Sequence, residues 1–212
     1  MNQQEKQLET LTEIRSLMER SSRFISLSGL SGIFAGIFAL FGVLALSIKF
    51  PFSIDSFTYY RQAYLENDEI NKSFFVFFGL IALFMVIASM SVGYYFTSRK
   101  AKKNGLTVWD SSAKRLLINL FIPLVTGGIF CGILLYHKLI PFVIPATLIF
   151  YGLSLLNASK YTLNDIRFLG ICEIVLGLIS GIFVEYGILI WAIGFGLLHI
   201  VYGATMYFKY ER

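Results

Sequence analysis

Apolar residues in this chain come in long, almost uncharged runs, and the charges collect in the gaps between them. The runs cover residues 24–48, 74–97, 116–136, 139–157, 168–184 and 187–208. At about 1.5 Å per residue, each is long enough to cross a hydrocarbon core of roughly 30 Å as a helix. The pattern predicts an all-α integral membrane protein: six transmembrane helices over 24–208, a cytoplasmic amphipathic segment 1–23 and a short cytoplasmic tail 209–212. Pro123, Pro141 and Pro145 fall in the third and fourth runs, where proline kinks a membrane helix without abolishing it. Glu185, Tyr186 and Gly187 mark a very short turn, so the fifth and sixth helices are expected as a tightly paired antiparallel hairpin.

Composition agrees with the pattern. The chain is 56% hydrophobic and only 15% charged, where a soluble domain carries nearer a quarter charged residues. With the amino terminus in the cytoplasm, the inner segments hold 14 Lys and Arg and the outer ones hold 4 (Lys49, Arg61, Lys72 and Lys138). The positive-inside rule therefore places both termini in the cytoplasm. The first helix lacks a short apolar core with a cleavage site, so it is expected to stay as an uncleaved anchor. Cys131 and Cys172 lie inside apolar runs without a metal-type neighbour and read as buried thiols.

The polar pieces are small. In "LETLTEIRSLMERSSRF", Leu8, Leu11, Ile14 and Met18 line one side of a helix, with Arg15, Arg20 and Arg23 towards the other. Such a segment lies on lipid headgroups; the alternative is that residues 8–20 dock a cytosolic partner or a second copy of the chain. The basic loop "SRKAKKNGLTVWDSSAKR" carries a turn at Asn104-Gly105 and helix-capping residues from Asp110 to Ser112. Trp109 suits an interfacial anchor. The outer loop 49–73, with Tyr59, Tyr60, Tyr64, Glu66, Asp68 and Glu69, reads as a solvated connector with room for a short surface helix.

Three of the runs contain a small-Gly-Ile-Phe unit: Ser31-Gly32-Ile33-Phe34, Gly127-Gly128-Ile129-Phe130 and Ser180-Gly181-Ile182-Phe183. The intervening runs carry Val92-Gly93, Tyr151-Gly152 and Tyr202-Gly203. This suggests three copies of one two-helix hairpin. The stretch "AIGFGLLHIVYGATMYF", after a Gly-spaced helix, resembles the two-helix repeats of acid-resistance membrane proteins of the HdeD type. The opening "EIRSLMERSSRFISLSGLSGIFAGI" resembles a family of uncharacterised six-pass bacterial membrane proteins. These likenesses imply a bacterial inner-membrane setting and assign no functional residues.

An ionisable side chain within a span costs about 2.5–3.5 kcal/mol on insertion scales, so it marks a candidate site. Glu173 and His199 are the two that qualify. Gly170, Glu173, Gly177 and Gly181 share one helical face, as do Ala192, Gly196, His199 and Gly203; Gly29, Gly32 and Gly36 line a face of the first helix. Glycine-lined faces meet other helices, so Glu173 and His199 are expected to point into the bundle and to meet. Asn119 and Asn157 read as caps or interfacial groups. No HExxH, GxSxG or Walker sequence is present. Two histidines, His137 and His199, cannot build a multi-histidine metal site. The expected function is therefore non-enzymatic: a structural, stress-related or regulatory membrane component in contact with lipid, with no cofactor, metal or nucleic acid. A small proton-coupled transporter or channel using the Glu/His pair is the alternative.

The orientation is open to direct test. A reporter fused after Arg212 or inserted in the 99–115 loop should read cytoplasmic, and one near Glu66 external. An external 99–115 loop would reverse the whole assignment.

Overall fold

A computed structural model of the chain describes residues 24–50, 55–65, 69–105 and 107–212. The amphipathic segment 8–20, and with it the expected docking or lipid-surface role, lies outside the described residues, as do Glu66 and Asp68. Among the described residues the chain is helical, with a single isolated bridge between Tyr64 and Ile70. The helices are α1 (Gly29–Lys49), α2 (Phe57–Gln62), α3 (Lys72–Lys103), α4 (Ser111–Tyr136), α5 (Val143–Ala158), α6 (Asp165–Ile182), α7 (Gly187–Trp191) and α8 (His199–Tyr210). Ala192–Leu198 joins α7 to α8 as a π-helical stretch. Five helical stretches are long and apolar enough to cross a membrane: Gly29–Lys49, Lys72–Lys103, Ser111–Tyr136, Ile140–Tyr161 and Val184–Tyr210. The remaining long helix, α6, is 18 residues and carries Asp165, Arg167 and Glu173.

Local chemistry sets the helix ends. Asn71 accepts from the Phe74 amide at 3.2 Å at the start of α3, and Asp110 accepts from the Ala113 amide at 2.6 Å at the start of α4. After α3 the chain turns at Gly105, whose φ of 65° suits glycine. Ser28 does not cap its own helix. Instead Glu211, at the far end of the chain, accepts from the Gly29 amide at 2.5 Å and from Ser28 Oγ at 3.0 Å. An anion suits a helix amino terminus. Lys100 Nζ lies 3.6 Å from Glu211 and donates to the Leu27 carbonyl at 2.8 Å.

In space the long helices follow the order α3, α1, α8, α6, α5, α4, each packing on the next. Glycine makes two of these contacts unusually close. Along α1–α8, a methyl group on Gly203 would stand 2.5 Å from the Ile33 amide nitrogen, and one on Gly36 would stand 2.5 Å from the Gly196 carbonyl oxygen. Gly29 and Gly32 face Gly203 in the same seam. Along α5–α6, a methyl group on Gly152 would be 2.6 Å from the Gly170 carbonyl oxygen, and one on Gly177 would be 2.9 Å from the Ile149 amide. Gly181 has more room, with Pro145 Cβ at 3.8 Å. The glycine faces of the fifth and sixth runs therefore do not meet each other. The first lies on α5 and the second on α1, so these runs are not the tightly paired hairpin expected from their short turn.

Each end of the bundle is tied by polar contacts. At one end, the Phe24 amide donates to the Tyr161 carbonyl, Thr162 Oγ1 donates to the Phe24 carbonyl, and Lys209 and Tyr210 both donate to Asp165. Partial burial alone would raise the Asp165 carboxyl. The hydrogen bonds from Tyr210 and Lys209, with the Lys209 charge, outweigh it and hold the group below the ordinary carboxylate range. At the other end, the segment around α2 is a packed cap and not a solvated connector. Ser56, Tyr59, Tyr60 and Ala63 are buried. Ser56 donates its amide to the Glu185 carbonyl at 2.6 Å and accepts from the Ile188 amide at 3.0 Å, and Tyr60 donates to the Val184 carbonyl at 3.2 Å. Burial pushes the Tyr60 phenol up to about 12. Asn119 and Asn157, expected as caps or interfacial groups, meet each other. Asn157 Nδ2 donates to the Asn119 carbonyl at 2.9 Å and so bridges α4 and α5.

Gly203→Val should destabilise the detergent-solubilised protein by about 1–3 kcal/mol or more, the usual cost of overpacking a tight contact. Gly79→Ala, at a site with nothing within 4 Å of the added carbon, should be neutral or slightly stabilising by thermal unfolding. Asp165, with its depressed folded-state value, contributes stability that is present above the unfolded carboxylate value and lost as pH falls through the folded one. Asp165→Asn should accordingly flatten part of the acid limb of the stability–pH curve.

Candidate functional site

Glu173 sits on α6 between Gly170 and Gly177, the glycines that let α5 lie against this helix. The close approach encloses the glutamate, which has no exposed surface. Its carboxyl reaches across to the π-helical stretch. A methyl group on Gly194 would stand 2.6 Å from Glu173 Oε2 and 2.8 Å from Leu148 Cδ2, so the bare glycine makes room for the carboxyl. The wider turn of a π-helix offsets the residues after it relative to an α-helical register. Gly196 and Gly203 pack on α1, while His199 between them reaches the opposite side.

Three groups converge on the His199 ring. Glu173 Oε1 lies 3.4 Å from Nδ1, the Gly194 carbonyl lies 3.0 Å from the same nitrogen, and the Tyr151 hydroxyl lies 2.8 Å from Nε2. Phe195 stacks on the imidazole at 5.8 Å between centroids, and it makes tilted ring contacts with Tyr151 and Trp191, each at 4.8 Å. The Gly194 carbonyl can only accept, which places a proton on Nδ1. Nε2 then accepts from Tyr151 when the ring is neutral, or donates to it when the ring is an imidazolium.

The carboxyl is less well served than the ring. Neither oxygen of Glu173 has a hydrogen-bond partner among the described residues, and the Nδ1–H nearest to it is already directed at Gly194. A buried polar group without a partner costs about 1–3 kcal/mol, and a bare carboxylate more. Ser180, also buried on α6 and two turns further along, has an unpartnered hydroxyl as well. The arrangement can hold a proton on Glu173 or on His199, with Tyr151 at the far ring nitrogen. No group of three or more His, Cys, Asp and Glu side chains that could hold a metal occurs among the described residues.

No family model, curated protein or solved structure matches the chain. The site thus has to be read from its own geometry. Glu173 and His199 are brought together. The glycines Gly29, Gly32, Gly36, Gly196 and Gly203 form one helix seam, and Gly170 and Gly177 form another. Tyr151, Gly194 and Phe195 belong to the site and were not singled out as such from the sequence. Tyr151 carried a signal, as the tyrosine of a Tyr-Gly pair in the run before Glu173. Gly194 carried none, because its role depends on a π turn that residue spacing does not reveal. Cys172 lies 3.8 Å from the Tyr202 hydroxyl, a weak polar contact across the same pair of helices.

Glu173→Gln and His199→Leu should each destabilise the protein, because each leaves its partner buried and less compensated. The double variant should lose less than the sum of the two losses. Additivity within roughly 0.5 kcal/mol, as for independent sites, would mean that the two side chains do not interact. Tyr151→Phe should cost about 1 kcal/mol for the lost hydrogen bond, and Gly194→Ala should cost more because it drives a methyl group into the carboxyl.

Proposed function

We propose that this chain is a six-pass inner-membrane protein of bacterial type, without enzymatic activity, that acts as a regulatory or stress-related membrane component. Its Glu173–His199–Tyr151 cluster binds a proton at the seam between α6 and α8. The observation that carries this reading is the fully buried Glu173 carboxyl, without a hydrogen-bond donor of its own, beside an imidazole whose two nitrogens are both engaged. A pair serving only to fasten two helices is better served by a carboxylate whose oxygens are all hydrogen-bonded. A group that must gain and lose a proton needs an oxygen left free.

The six-pass reading is supported by the contacts at the two ends of α6. Asp165, at its start, meets Lys209 and Tyr210, beside the strip where Glu211 meets Gly29. Val184 and Glu185, just past its end, meet Tyr60 and Ser56 in the cap at the other end. The helix therefore runs between the same two ends as its neighbours, and an even number of passes returns the last residue to the side where α1 begins. The Lys and Arg distribution makes that side the cytoplasm. The likeness to acid-resistance membrane proteins of the HdeD type, and the three-hairpin repeat, belong to this proposal too. A small proton-coupled transporter is the second reading. It is favoured by Ser180, whose unpartnered hydroxyl extends the polar face of α6 away from Glu173.

Trp191 offers a readout, being stacked on Phe195 beside the cluster. In a Trp109→Phe background reconstituted in liposomes, acidification should shift Trp191 emission, and Glu173→Gln should abolish the shift. A Trp191 signal that titrates equally in both proteins, or in neither, would remove the proton site. Proton flux into liposomes loaded with a pH-sensitive dye separates the readings: none is expected for a regulatory component, and flux abolished by Glu173→Gln supports the transporter.

A further inference from the structure

The last three turns of α3 carry an arrangement that the cluster does not use. Tyr94, Tyr95, Ser98, Arg99 and Lys102 lie within one arc of the helix, spaced i, i+1, i+4, i+5 and i+8. With Val108 they line a half-open groove of about 480 Å³. The order along the axis is chemically graded. The two tyrosines come first, both largely exposed at the end of the apolar run, and the two cations follow on the side of the basic loop. Aromatic rings at that level sit in the headgroup zone, and Lys and Arg beyond them extend into it.

No ion pair to the charges of the groove is formed by the described residues. Lys100, the residue between them in sequence, turns away and is held by Glu211 and the Leu27 carbonyl. Lys209 is held by Asp165. Neither Arg99 nor Lys102 has an ion pair among the described residues, and no carboxylate lines the groove. The Ser98 hydroxyl in its wall has no partner there either. The groove thus offers a guanidinium, an ammonium and phenols, and its two cations favour a net-anionic headgroup over a zwitterionic one. A guanidinium presents a planar fork to phosphate oxygens.

We propose that this groove binds the phosphate of an anionic phospholipid headgroup, with the glycerol and upper acyl chains along Tyr94 and Tyr95. Lipid is the source, and not free phosphate, because the tyrosines open the groove towards the apolar run of α3. The inference rests on the membrane reading and is independent of the Glu173–His199 cluster.

The test is native mass spectrometry of the purified full-length protein with phosphatidylglycerol or phosphatidylcholine added at equal concentration. Wild type should retain one phosphatidylglycerol in preference to phosphatidylcholine. The Arg99→Gln/Lys102→Gln double variant should bind it about thirtyfold more weakly, at roughly fivefold per cation near a charged surface. Lys160→Gln/Arg167→Gln removes the same charge elsewhere at this end and should bind as wild type does. Equal losses in the two double variants, or equal retention of both lipids by wild type, would overturn the proposal. Displacement of the lipid by soluble glycerophosphate at matched concentration would overturn the lipid assignment in favour of a soluble phosphate. Carbonate extraction of membranes separates the levels: released protein overturns the membrane reading and this inference with it, and retained protein without lipid selectivity overturns this inference alone.

Discussion

The bundle depends on two places where helix backbones touch with no side chain between them. Gly203 lies against Gly29, Gly32 and Ile33, and Gly152 lies against Gly170 and Ile174. In an apolar solvent, burying apolar surface gives little net gain, and helices associate through close van der Waals packing and through polar contacts. Glycine supplies the first. Its absent side chains let α8 settle on α1 and α6 on α5, and those two contacts decide which faces are left over. What remains of α6 and α8 must face one another, and that remainder includes Glu173 and His199.

The seam between α6 and α8 is therefore built differently from its neighbours. Its core is a run of ring contacts from Trp191 through Phe195 to His199 and to Tyr151 of α5, with the Glu173 carboxyl at the edge. Aromatic stacking and a hydrogen bond to Nε2 fix the ring, and the π turn at Ala192–Leu198 fixes where the ring points. The carboxyl is fixed by enclosure: Gly194 leaves a notch, and Leu148 forms its wall. The site holds one well-satisfied polar group and one poorly satisfied one, at a place where each unsatisfied atom is costly.

Much of this was legible in the residues, and the parts that were not share a cause. The apolar runs located the helices to within a few residues, because hydrophobic length is a strong signal. Glycine spacing marks faces suited to close helix contact, but it does not name the partner. Gly170 and Gly177 could pack on α5 or α8 equally well by sequence, and the short turn at Glu185 suggested the wrong choice. Asn157 lies at a helix end as read, but its bond to the Asn119 carbonyl was not legible, because that partner is distant in sequence. The cap around α2 was hidden for a similar reason. Ser56 and Tyr60 have ordinary loop chemistry, and their burial comes from Val184, Glu185 and Ile188, well over a hundred residues away. Pairwise matches between distant segments have no signature in one sequence.

The difference between the seams bears on what a proton could do. The closest points of the α1–α8 and α5–α6 contacts, at Gly203 and Gly152, are made by backbone atoms without a titratable group, and Glu173 lies beside the second. Where α8 meets α6 and α5 lie the carboxyl of Glu173, the imidazole of His199 and the phenol of Tyr151, the last contributed by α5. A proton gained or lost there would change the forces across that seam. The natural response is then a relative shift of two units, α1 with α8 and α5 with α6, each keeping its internal packing. Both ends resist such a shift. Asp165 is tied to Lys209 and Tyr210 through largely exposed side chains, but the buried Phe24 and Thr162 join the lead into α1 to the turn between α5 and α6. At the other end Ser56, itself fully buried, joins the start of α2 to Glu185 and to α7 through its amide and its hydroxyl. A displacement at either end would therefore break buried hydrogen bonds, each leaving a polar group without its partner.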